Sequence, residues 1–267
     1  MAIKLIAIDL DDTLLNSDFE ISPRNAAAVH KAQAAGLKVI FATGRMYASA
    51  QKFAEQLQLD VPLVTYNGAL VKGGLSGKVY EEHPIKLETA LALLAYCKER
   101  HYYIQAYQGS QLLVKEENAF SRLYTKISGI PATPVGEALY QIKQPPYKLL
   151  LMTRPKEFDA TWQDVSVRFK GQVDVTSSKD NFLELMEPGI NKWNAVSAIG
   201  KLYGVNREEI MCIGDSNNDL VMIKHAGLGV AMGNAKESVR QAAKLVTASN
   251  NEDGVALAIE TILQAKS

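Results

Sequence analysis

Short apolar segments alternate with helical segments at both ends of this chain, and this alternation restricts the possible folds more than any other feature. Leu5–Leu10, Val39–Thr43 and Leu63–Tyr66 have the length and the side chains of buried strands. A helix is predicted to begin at Ser22-Pro23, where a serine N-cap precedes a proline at the first helical position. Strands separated by helices form a parallel sheet with helices on both faces. The pattern therefore predicts an α/β fold built on a doubly wound parallel sheet.

The C-terminal part of the chain continues this pattern. Asn234 and Glu237 have the spacing of a capping box, which predicts the start of a helix between the last two strands. We expect all of these strands to join one sheet, so residues 1–82 and 188–267 are predicted to form a single core domain. The C-terminal strands are predicted at Ile210–Ile213, Leu228–Ala231 and Lys244–Thr247.

Residues 83–187 follow a different pattern. Two hairpins are predicted there, one over residues 102–115 that turns at Gly109-Ser110 and one over residues 173–186. Helical segments lie before and between them, and Pro84 and Pro188-Gly189 stand at the two crossings. Residues 83–187 are therefore predicted to form an α+β domain inserted into the core.

The composition argues against several classes of protein. Lys and Arg together number 29, as do Asp and Glu, so no concentrated positive field is available for nucleic acid. No apolar run approaches the roughly 20 residues that span a bilayer, and the N-terminus lacks the pattern of a signal peptide. We expect a cytoplasmic enzyme that acts on a small molecule, with no nucleic-acid or membrane partner. Monomer and homodimer both stay open.

Two acidic clusters follow predicted strands of the same sheet. Asp9 and Asp11 lie at the end of the first strand, two residues apart, so both can point into one site. Asp215, Asn218 and Asp219 follow the strand at 210–213 and would share one face of a helix that opens there. Crowded carboxylates repel one another unless a cation or a proton offsets them, and oxygen ligands suit Mg²⁺. Either cluster alone is equally well a polar turn or a helix cap, whereas the two together predict a magnesium site.

Two further groups could hold an anion. Thr43-Gly44-Arg45 ends a predicted strand, where a hydroxyl and backbone N–H groups can face a phosphate. Lys192 opens a predicted helix, where a cation opposes the helix dipole and needs a local reason, such as a bound phosphate. Taken alone, Thr43-Gly44-Arg45 is better explained as a helix cap and Lys192 as a surface lysine. With the acidic clusters, they meet the needs of phosphoryl transfer to a carboxylate nucleophile.

These motifs, in this order and approximate spacing, resemble the haloacid dehalogenase superfamily. The supporting motifs are similar to those of its Cof-type sugar-phosphatase branch, in which a type-2 cap is inserted into a Rossmann-like core. The resemblance covers the whole core and the position of the insert. The supporting motifs are Asn67-Gly68-Ala69, Ala231-Met232-Gly233-Asn234-Ala235 and Glu252-Asp253-Gly254-Val255-Ala256.

The resemblance implies a role for each acidic residue. Asp9 resembles the nucleophile that takes up the phosphoryl group, and Asp11 resembles the general acid/base that protonates the leaving alcohol and then activates water. The implied Mg²⁺ site uses the Asp9 carboxylate, the Asp11 backbone carbonyl and Asp215. Asp219 would act on the metal indirectly, by positioning the groups that bind it.

The resemblance also implies which residues meet the substrate. Thr43, with Gly44 beside it, and Lys192 would hold the phosphoryl oxygens, while Asn218 would contact the phosphate or the waters on the metal. The implied substrate neighbours are Arg45, Asn67 and Gly68. The expected activity is magnesium-dependent hydrolysis of small phosphate monoesters through an aspartyl-phosphate.

Several alternatives to this substrate and function stay open. Sugar phosphates are the expected substrates, and phosphorylated cofactors such as pyridoxal phosphate or flavin mononucleotide are alternatives. A phosphomutase would use the same groups to interconvert sugar phosphates. A phospho-accepting receiver domain would also use an Asp, Mg²⁺, a Thr and a Lys, but the large insert and the second aspartate fit it poorly.

Overall fold

Two β-sheets organise the chain, which a computed structural model describes over residues 2–264. In chain order the strands are β1 (Leu5–Ile8), β2 (Lys38–Ala42), β3 (Pro62–Thr65), β4 (Leu70–Gly73), β5 (Val79–Glu82), β6 (Ile104–Gln108), β7 (Gln111–Val114), β8 (Ala132–Pro134), β9 (Lys148–Met152), β10 (Asp174–Thr176), β11 (Phe182–Met186), β12 (Ile210–Gly214), β13 (Leu228–Ala231) and β14 (Leu245–Val246). The helices are α1 (Pro23–Ala34), α2 (Tyr47–Leu57), α3 (Leu87–Glu99), α4 (Ala119–Ser128), α5 (Phe158–Arg168), α6 (Lys192–Leu202), α7 (Leu220–His225), α8 (Glu237–Ala242) and α9 (Gly254–Gln264).

The first sheet has the order β14-β13-β12-β1-β2-β3-β4-β5 over the described residues. The strands from β14 to β3 run parallel, which confirms the predicted α/β sheet. β4 and β5 continue it in antiparallel pairing and were not predicted. The glycine-rich stretch after Leu70 forms their connecting turn, in which the Gly73 N–H donates to the Lys78 carbonyl (2.8 Å).

Both faces of the first sheet are covered, as its continuous apolar strands predict. Ile6 and Ile8 of β1 pack in the cluster that includes residues of α1, α2 and α9. Leu5 and Ala7 pack on the other face, with residues of α6 and α7. Because β1 is buried on both sides, it fixes the position of whatever follows its carboxyl end.

The chain leaves β1 earlier than predicted. The strand ends at Ile8, and Leu10–Leu14 form one wide turn, in which Leu14 N–H donates to Asp9 O and Leu15 N–H to Leu10 O. Asp12 has a φ of 56°, which reverses the chain there. The predicted strand is therefore two residues too long at its C-terminal end, because the turn at Leu10–Leu14 replaces the hydrogen bonds to the neighbouring strands.

The second sheet, with the order β10-β11-β9-β6-β7-β8, comes from the segment between β5 and β12. Both predicted hairpins are present, and Gly109 takes a φ of 56° in the first turn. One sheet face packs against residues of α3 and α5, and the other faces α4 and the first sheet's loops. The predicted boundaries fall in the connections before α3 and α6, so we propose residues 83–187 as a separate domain, called the insert below.

The capping box predicted at Asn234 and Glu237 is wrong. α8 begins only at Glu237, after an N-cap at Lys236. The Asn234 side chain instead donates to Asp12 O (2.8 Å) and accepts from Asn250 N–H (2.9 Å). It ties the loop after β1 to the loop after β14, a contact that local spacing does not reveal. Within residues 2–264, no helix is both long and apolar enough to cross a membrane.

The glycines of β13 and its approach have a packing role. A side chain at Gly229 would place its Cβ 2.1 Å from the Ile223 carbonyl oxygen, and one at Gly227 would meet the Glu208 carbonyl at the same distance. These glycines let α7 and the turn before β12 lie directly against the backbone of β13.

Gly229→Ala should therefore destabilise the protein, because the Ile223 carbonyl belongs to the backbone and must be displaced. We expect the free energy of unfolding to fall by about 1–3 kcal/mol. Val246→Ala, which shortens an exposed side chain on neighbouring β14, should change it by less than about 0.5 kcal/mol. Urea unfolding of both variants provides the measurement, and equal effects would contradict this role of Gly229.

Candidate active site

Three neighbouring parallel strands place their carboxyl ends side by side. Asp9 follows β1, Thr43 follows β2 and Asp215 follows β12. The ladders continue to these residues, because Asp9 N–H donates to Ile213 O (3.0 Å) and Thr43 N–H donates to Val64 O (2.8 Å). Residues far apart in the sequence thus meet at one edge of the sheet, where ligands bind in open α/β folds.

A buried cluster of carboxylates lies at this edge. One oxygen each from Asp9, Asp215 and Asp219 lies within 4.8 Å of the others. Asp219 is fully buried, and its Oδ2 accepts from the N–H groups of Asp215 (3.1 Å) and Ser216 (3.0 Å). Thr13 Oγ1 donates to Asp215 Oδ1 (3.0 Å). Backbone and hydroxyl donors therefore orient these acids towards one another despite their like charge.

The second acidic cluster meets by a different route from the predicted one. Asn217–Asp219 form a single 3₁₀ turn, and α7 begins only at Leu220. Asp215 lies before that turn, so the prediction that it shares a helix face with Asn218 and Asp219 is wrong. A Cβ at Gly214 would lie 2.5 Å from Asp219 Cγ, so the glycine lets the Asp219 side chain fold back against the end of β12.

Lys192 bridges two of these carboxylates. Its Nζ lies 2.6 Å from Asp9 Oδ1 and 2.7 Å from Asp219 Oδ1, and the side chain is 1% exposed. Burial disfavours the charged ammonium, but the attraction of Asp219 and Asp9 outweighs burial and raises the pKa of Lys192. Lys192 is the first residue of α6, as predicted, and the two carboxylates supply the local reason for a cation there.

The lysine does not neutralise the cluster. Burial, followed by repulsion from Asp219, raises the pKa of Asp9 well above its usual range. The same causes raise the pKa of Asp215 to about 7. Three buried carboxylates facing one ammonium leave excess negative charge, and a hard divalent cation with oxygen ligands would remove this strain. The donor set therefore fits Mg²⁺.

Asp11 and Arg45 form a bidentate ion pair. Arg45 Nε lies 2.8 Å from Asp11 Oδ2, and Nη2 lies 2.6 Å from Oδ1. The third guanidinium nitrogen, Nη1, donates to Ser49 Oγ (2.9 Å). Arg45 is 7% exposed and Asp11 28% exposed, so the pair stands at the wall of a cavity with Asp11 on its open side. Arg45 was predicted as a substrate neighbour, and in the structure its guanidinium holds Asp11.

The other predicted phosphate and substrate residues separate into two groups. Thr43, Gly44 and Asn218 line the main cavity with Asp9 and Asp11. The Thr43 hydroxyl accepts from the Arg45 N–H (3.1 Å). This cavity encloses about 50 Å³.

Asn67, Gly68 and Lys192 are not among the residues that line the main cavity. Asn67 and Lys192 line a neighbouring cavity of about 190 Å³, and Asn67 Oδ1 accepts from the Asn218 side chain (3.1 Å) between the two cavities. Gly68 has a φ of 112°, and a Cβ there would lie 2.7 Å from the Asn191 carbonyl oxygen. Gly68 therefore brings its loop against the residue before Lys192.

The insert completes the main cavity, and two of the residues that it adds, Lys148 and Glu184, were not singled out from the sequence. The signal was present, because Lys148 and Glu184 are charged residues inside otherwise apolar strands, β9 and β11. Tyr107 of the first hairpin is fully buried and is not among the residues that line this cavity. The insert residues that line the main cavity are Tyr124, Ile127, Ser128, Lys148, Ser178, Lys179, Phe182 and Glu184.

One turn of the insert rests directly on the acidic loops. In the β10–β11 connection, Lys179 Nζ lies 3.3 Å from Asp12 Oδ2 and Ser178 O accepts from Ser216 Oγ (3.2 Å). Lys236 of the first sheet's domain pairs with Asp180 (2.8 Å) in the same turn. The insert therefore closes over the strand ends through polar contacts.

Comparison with known proteins places this arrangement in a family. Residues 6–259 match the haloacid dehalogenase-like hydrolase family. The 5-amino-6-(5-phospho-D-ribitylamino)uracil phosphatase YcsE of Bacillus subtilis is 32% identical, over 96% of this chain and 94% of that protein.

Solved structures agree with this match. A haloacid dehalogenase-like hydrolase from Bacteroides thetaiotaomicron is 33% identical, with a TM-score of 0.87 over 97% of this chain and 99% of that one. The subclass IIB sugar phosphatase BT4131 is 25% identical, with a TM-score of 0.85 over 97% and 98%. Fold, sequence match and named relatives together show that this chain belongs to the haloacid dehalogenase-like hydrolases and is a phosphatase of that family.

Proposed function

We propose that this phosphatase hydrolyses small phosphate monoesters, sugar phosphates above all, with Mg²⁺ and through a phosphoryl group carried on Asp9. The main support is the position of the Asp9 carboxylate. It lies at the carboxyl end of β1, beside Asp215 and Asp219 and in contact with Lys192. A carboxylate held between a metal site and a buried cation is suited to attack phosphorus.

The metal would be held by the Asp9 and Asp215 carboxylates and by the backbone carbonyl of Asp11. When bound, Mg²⁺ supplies positive charge to the phosphoryl oxygens and offsets the repulsion among the acids. Asp219 would keep Asp215 in place through its bonds to the backbone N–H groups of Asp215 and Ser216. Thr43 and Lys192 would hold the phosphoryl oxygens, with Gly44 and Asn218 beside them.

The chemistry divides into two displacements. An Asp9 oxygen forms a bond to phosphorus while the ester bond breaks, and Asp11 gives its proton to the leaving alcohol. Water then attacks phosphorus, Asp11 takes a proton from it, and the bond to Asp9 breaks. Arg45 would hold Asp11 in place between turnovers, and one of its two bonds would have to break before an Asp11 oxygen can give or take a proton, because both oxygens accept from the guanidinium here.

The relatives support the class of substrate. YcsE is named for a phosphorylated ribitylamino compound and BT4131 for sugar phosphates, so both names refer to small phosphorylated polyhydroxy compounds. We extend that class, and no single compound within it, to this chain.

Replacement of the nucleophile provides the first test. Asp9→Asn keeps the shape of the side chain and removes its charge, so steady-state phosphate release from p-nitrophenyl phosphate should fall about 10⁴-fold or more. Asp18→Asn, an exposed acid of the following loop, should be unaffected. The wild type should release many phosphates per molecule. A single turnover would favour a phospho-accepting receiver, and an active Asp9→Asn would exclude the covalent mechanism.

The acid/base role of Asp11 predicts a dependence on the leaving group. Asp11→Asn should lower kcat on an unactivated sugar phosphate by about 10²–10⁴-fold, and lower it less on acetyl phosphate, whose leaving group needs no proton. Arg45→Lys keeps the charge but loses the bidentate grip, so it should show the same selectivity with a smaller loss. Steady-state assays on both substrates measure this, and normal turnover of the sugar phosphate by Asp11→Asn would rule the role out.

Metal binding should be linked to folding stability. Mg²⁺ at about 100 times its dissociation constant should add about 2.7 kcal/mol, which corresponds to a Tm increase of about 5–10 °C. Asp215→Asn removes a ligand, so its increase should be much smaller, while the loss of repulsion should raise its Tm without metal. Thermal unfolding with and without Mg²⁺, with Asp18→Asn as control, is the measurement. The same increase in Asp215→Asn would locate the metal elsewhere.

A further inference from the structure

A buried ion pair lies on the face of the insert that covers the active site. Lys148 of β9 and Glu184 of β11 have side chains that are 1% and 4% exposed, and Lys148 Nζ lies 3.3 Å from Glu184 Oε1. Glu184 stands opposite Leu150 in the antiparallel pair, so both charged side chains share one sheet face. Both also line the main cavity with Asp9 and Asp11.

Each member of the pair bonds to the other side of the cleft. Lys148 Nζ donates to the Gly44 carbonyl (2.6 Å), and Glu184 accepts from the Asn67 side-chain amide. Glu184 also accepts from Ser178 Oγ (2.9 Å). A Cβ at Gly44 would lie 3.4 Å from Glu184 Oε2 and 3.0 Å from Asn67 Oδ1. The absence of a side chain at Gly44 thus lets the Glu184 carboxylate come close to the phosphate-side loop.

Stability does not account for this pair. Removing a lysine and a glutamate from water costs several kcal/mol per ion, and apolar side chains of similar size often stabilise such a position as well or better. The neighbours on the same face, Leu150 and Met152 of β9 and Phe182 of β11, are apolar. The two charged residues therefore need an explanation from the cavity that they line.

We propose that Lys148 and Glu184 form the subsite that binds the leaving group, and that they select an uncharged, polyhydroxylated alcohol. This inference rests on the proposed phosphatase reaction. The present partners of the pair show which groups it can bind: Lys148 meets an acceptor, the Gly44 carbonyl, and Glu184 meets a donor, the Asn67 amide. A hydroxyl is both acceptor and donor. The hydroxyls of a bound alcohol can therefore replace both core groups.

The charge balance of the cavity excludes a second anionic group. Among the described residues that line it, each Lys or Arg already has a carboxylate partner: Arg45 pairs with Asp11, Lys148 with Glu184 and Lys179 with Asp12. A carboxylate or second phosphate on the leaving group would face Glu184 without a free cation. Such repulsion discriminates between ligands of similar size.

Besides the ion pair, the cavity has an apolar wall, which fits the same class. Tyr124, Ile127 and Phe182 line it, and the rings of Tyr124 and Phe182 lie 6.1 Å apart. A sugar ring carries hydroxyls at its edge and C–H groups on its face, so it can meet the ion pair and this wall together. The cavity of about 50 Å³ is far smaller than the roughly 300 Å³ at which ligand pockets begin. Entry therefore requires the insert to move outward, which breaks the bonds to Gly44 and Asn67 and frees the pair.

The test measures kcat/KM on three classes of substrate: acetyl phosphate, a panel of hexose and pentose phosphates, and 3-phosphoglycerate, which carries a carboxylate. The variants are Glu184→Gln, Lys148→Met and the double variant, which leaves no unpaired buried charge. Each variant should lose about 10-fold to 100-fold on the best sugar phosphate, and less than about threefold on acetyl phosphate.

The carboxylate-bearing ester separates recognition from a structural role. Glu184→Gln leaves Lys148 as a net positive charge and should raise kcat/KM on 3-phosphoglycerate relative to the sugar phosphate. Lys148→Met should change that ratio in the opposite direction. Asp164→Asn is the matched control, because this insert carboxylate bonds to Tyr96, Tyr102 and Arg100 and is not among the residues lining the main cavity. It should leave the ranking unchanged.

The outcomes are distinguishable. Equal losses on all three classes of substrate in folded variants, or an unchanged ranking, would overturn the subsite while leaving the phosphatase reaction intact. A wild type that releases no phosphate even from acetyl phosphate would refute the proposed reaction and the subsite with it. Circular dichroism and Tm establish that each variant is folded. If a single variant unfolds because its remaining charge is buried without a partner, the double variant, which has neither charge, provides the test.

Discussion

The whole site depends on holding three carboxylates together against their repulsion. The parallel strands bring Asp9 and Asp215 to one edge, and the turn before α7 adds Asp219. Lys192 offsets part of the negative charge by pairing with Asp9 Oδ1 and Asp219 Oδ1. The other oxygen of Asp219, Oδ2, accepts from the backbone N–H groups of Asp215 and Ser216. Burial, followed by repulsion from Asp219, raises the pKa of Asp9, and the donor set fits a divalent cation. The arrangement that would bind metal is thus the one that costs the protein stability without it.

The insert covers this edge of the first sheet and bonds to it through polar side chains and backbone carbonyls. Its contacts with the core include hydrogen bonds such as Ser49 Oγ to Ser128 O (2.5 Å) and the Lys236–Asp180 ion pair. Bonds of this kind contribute about 1 kcal/mol each, far less than the buried faces of the two sheets. An apolar cluster also joins the insert to the core, and in it the ring of Tyr66 stacks on that of Tyr147. In the proposed reaction, closure of the insert would exclude water from the acids, and opening would exchange the alcohol and the phosphate.

The sequence alone determined the parts of this protein that follow from local pattern. Apolar runs and helix signals predict the parallel sheet, because a strand buried on both faces needs a continuous apolar segment. Asp9, Thr43 and Asp215 could be placed together because the carboxyl ends of parallel strands share one edge. The two hairpins of the insert carry their own turn residues, Gly109 among them, so their existence is also a local property.

The tertiary structure alone decided which side chains pair. Arg45 grips Asp11 from 34 positions away, and Lys192 reaches Asp9 across 183, so no spacing rule could assign either partner. Asn234 has the spacing of a cap, but a long-range bond to the Asp12 carbonyl uses its side chain instead. Partners this distant in the chain are chosen by packing, because a polar group buried by the fold must bond to whichever complementary group the fold brings within reach.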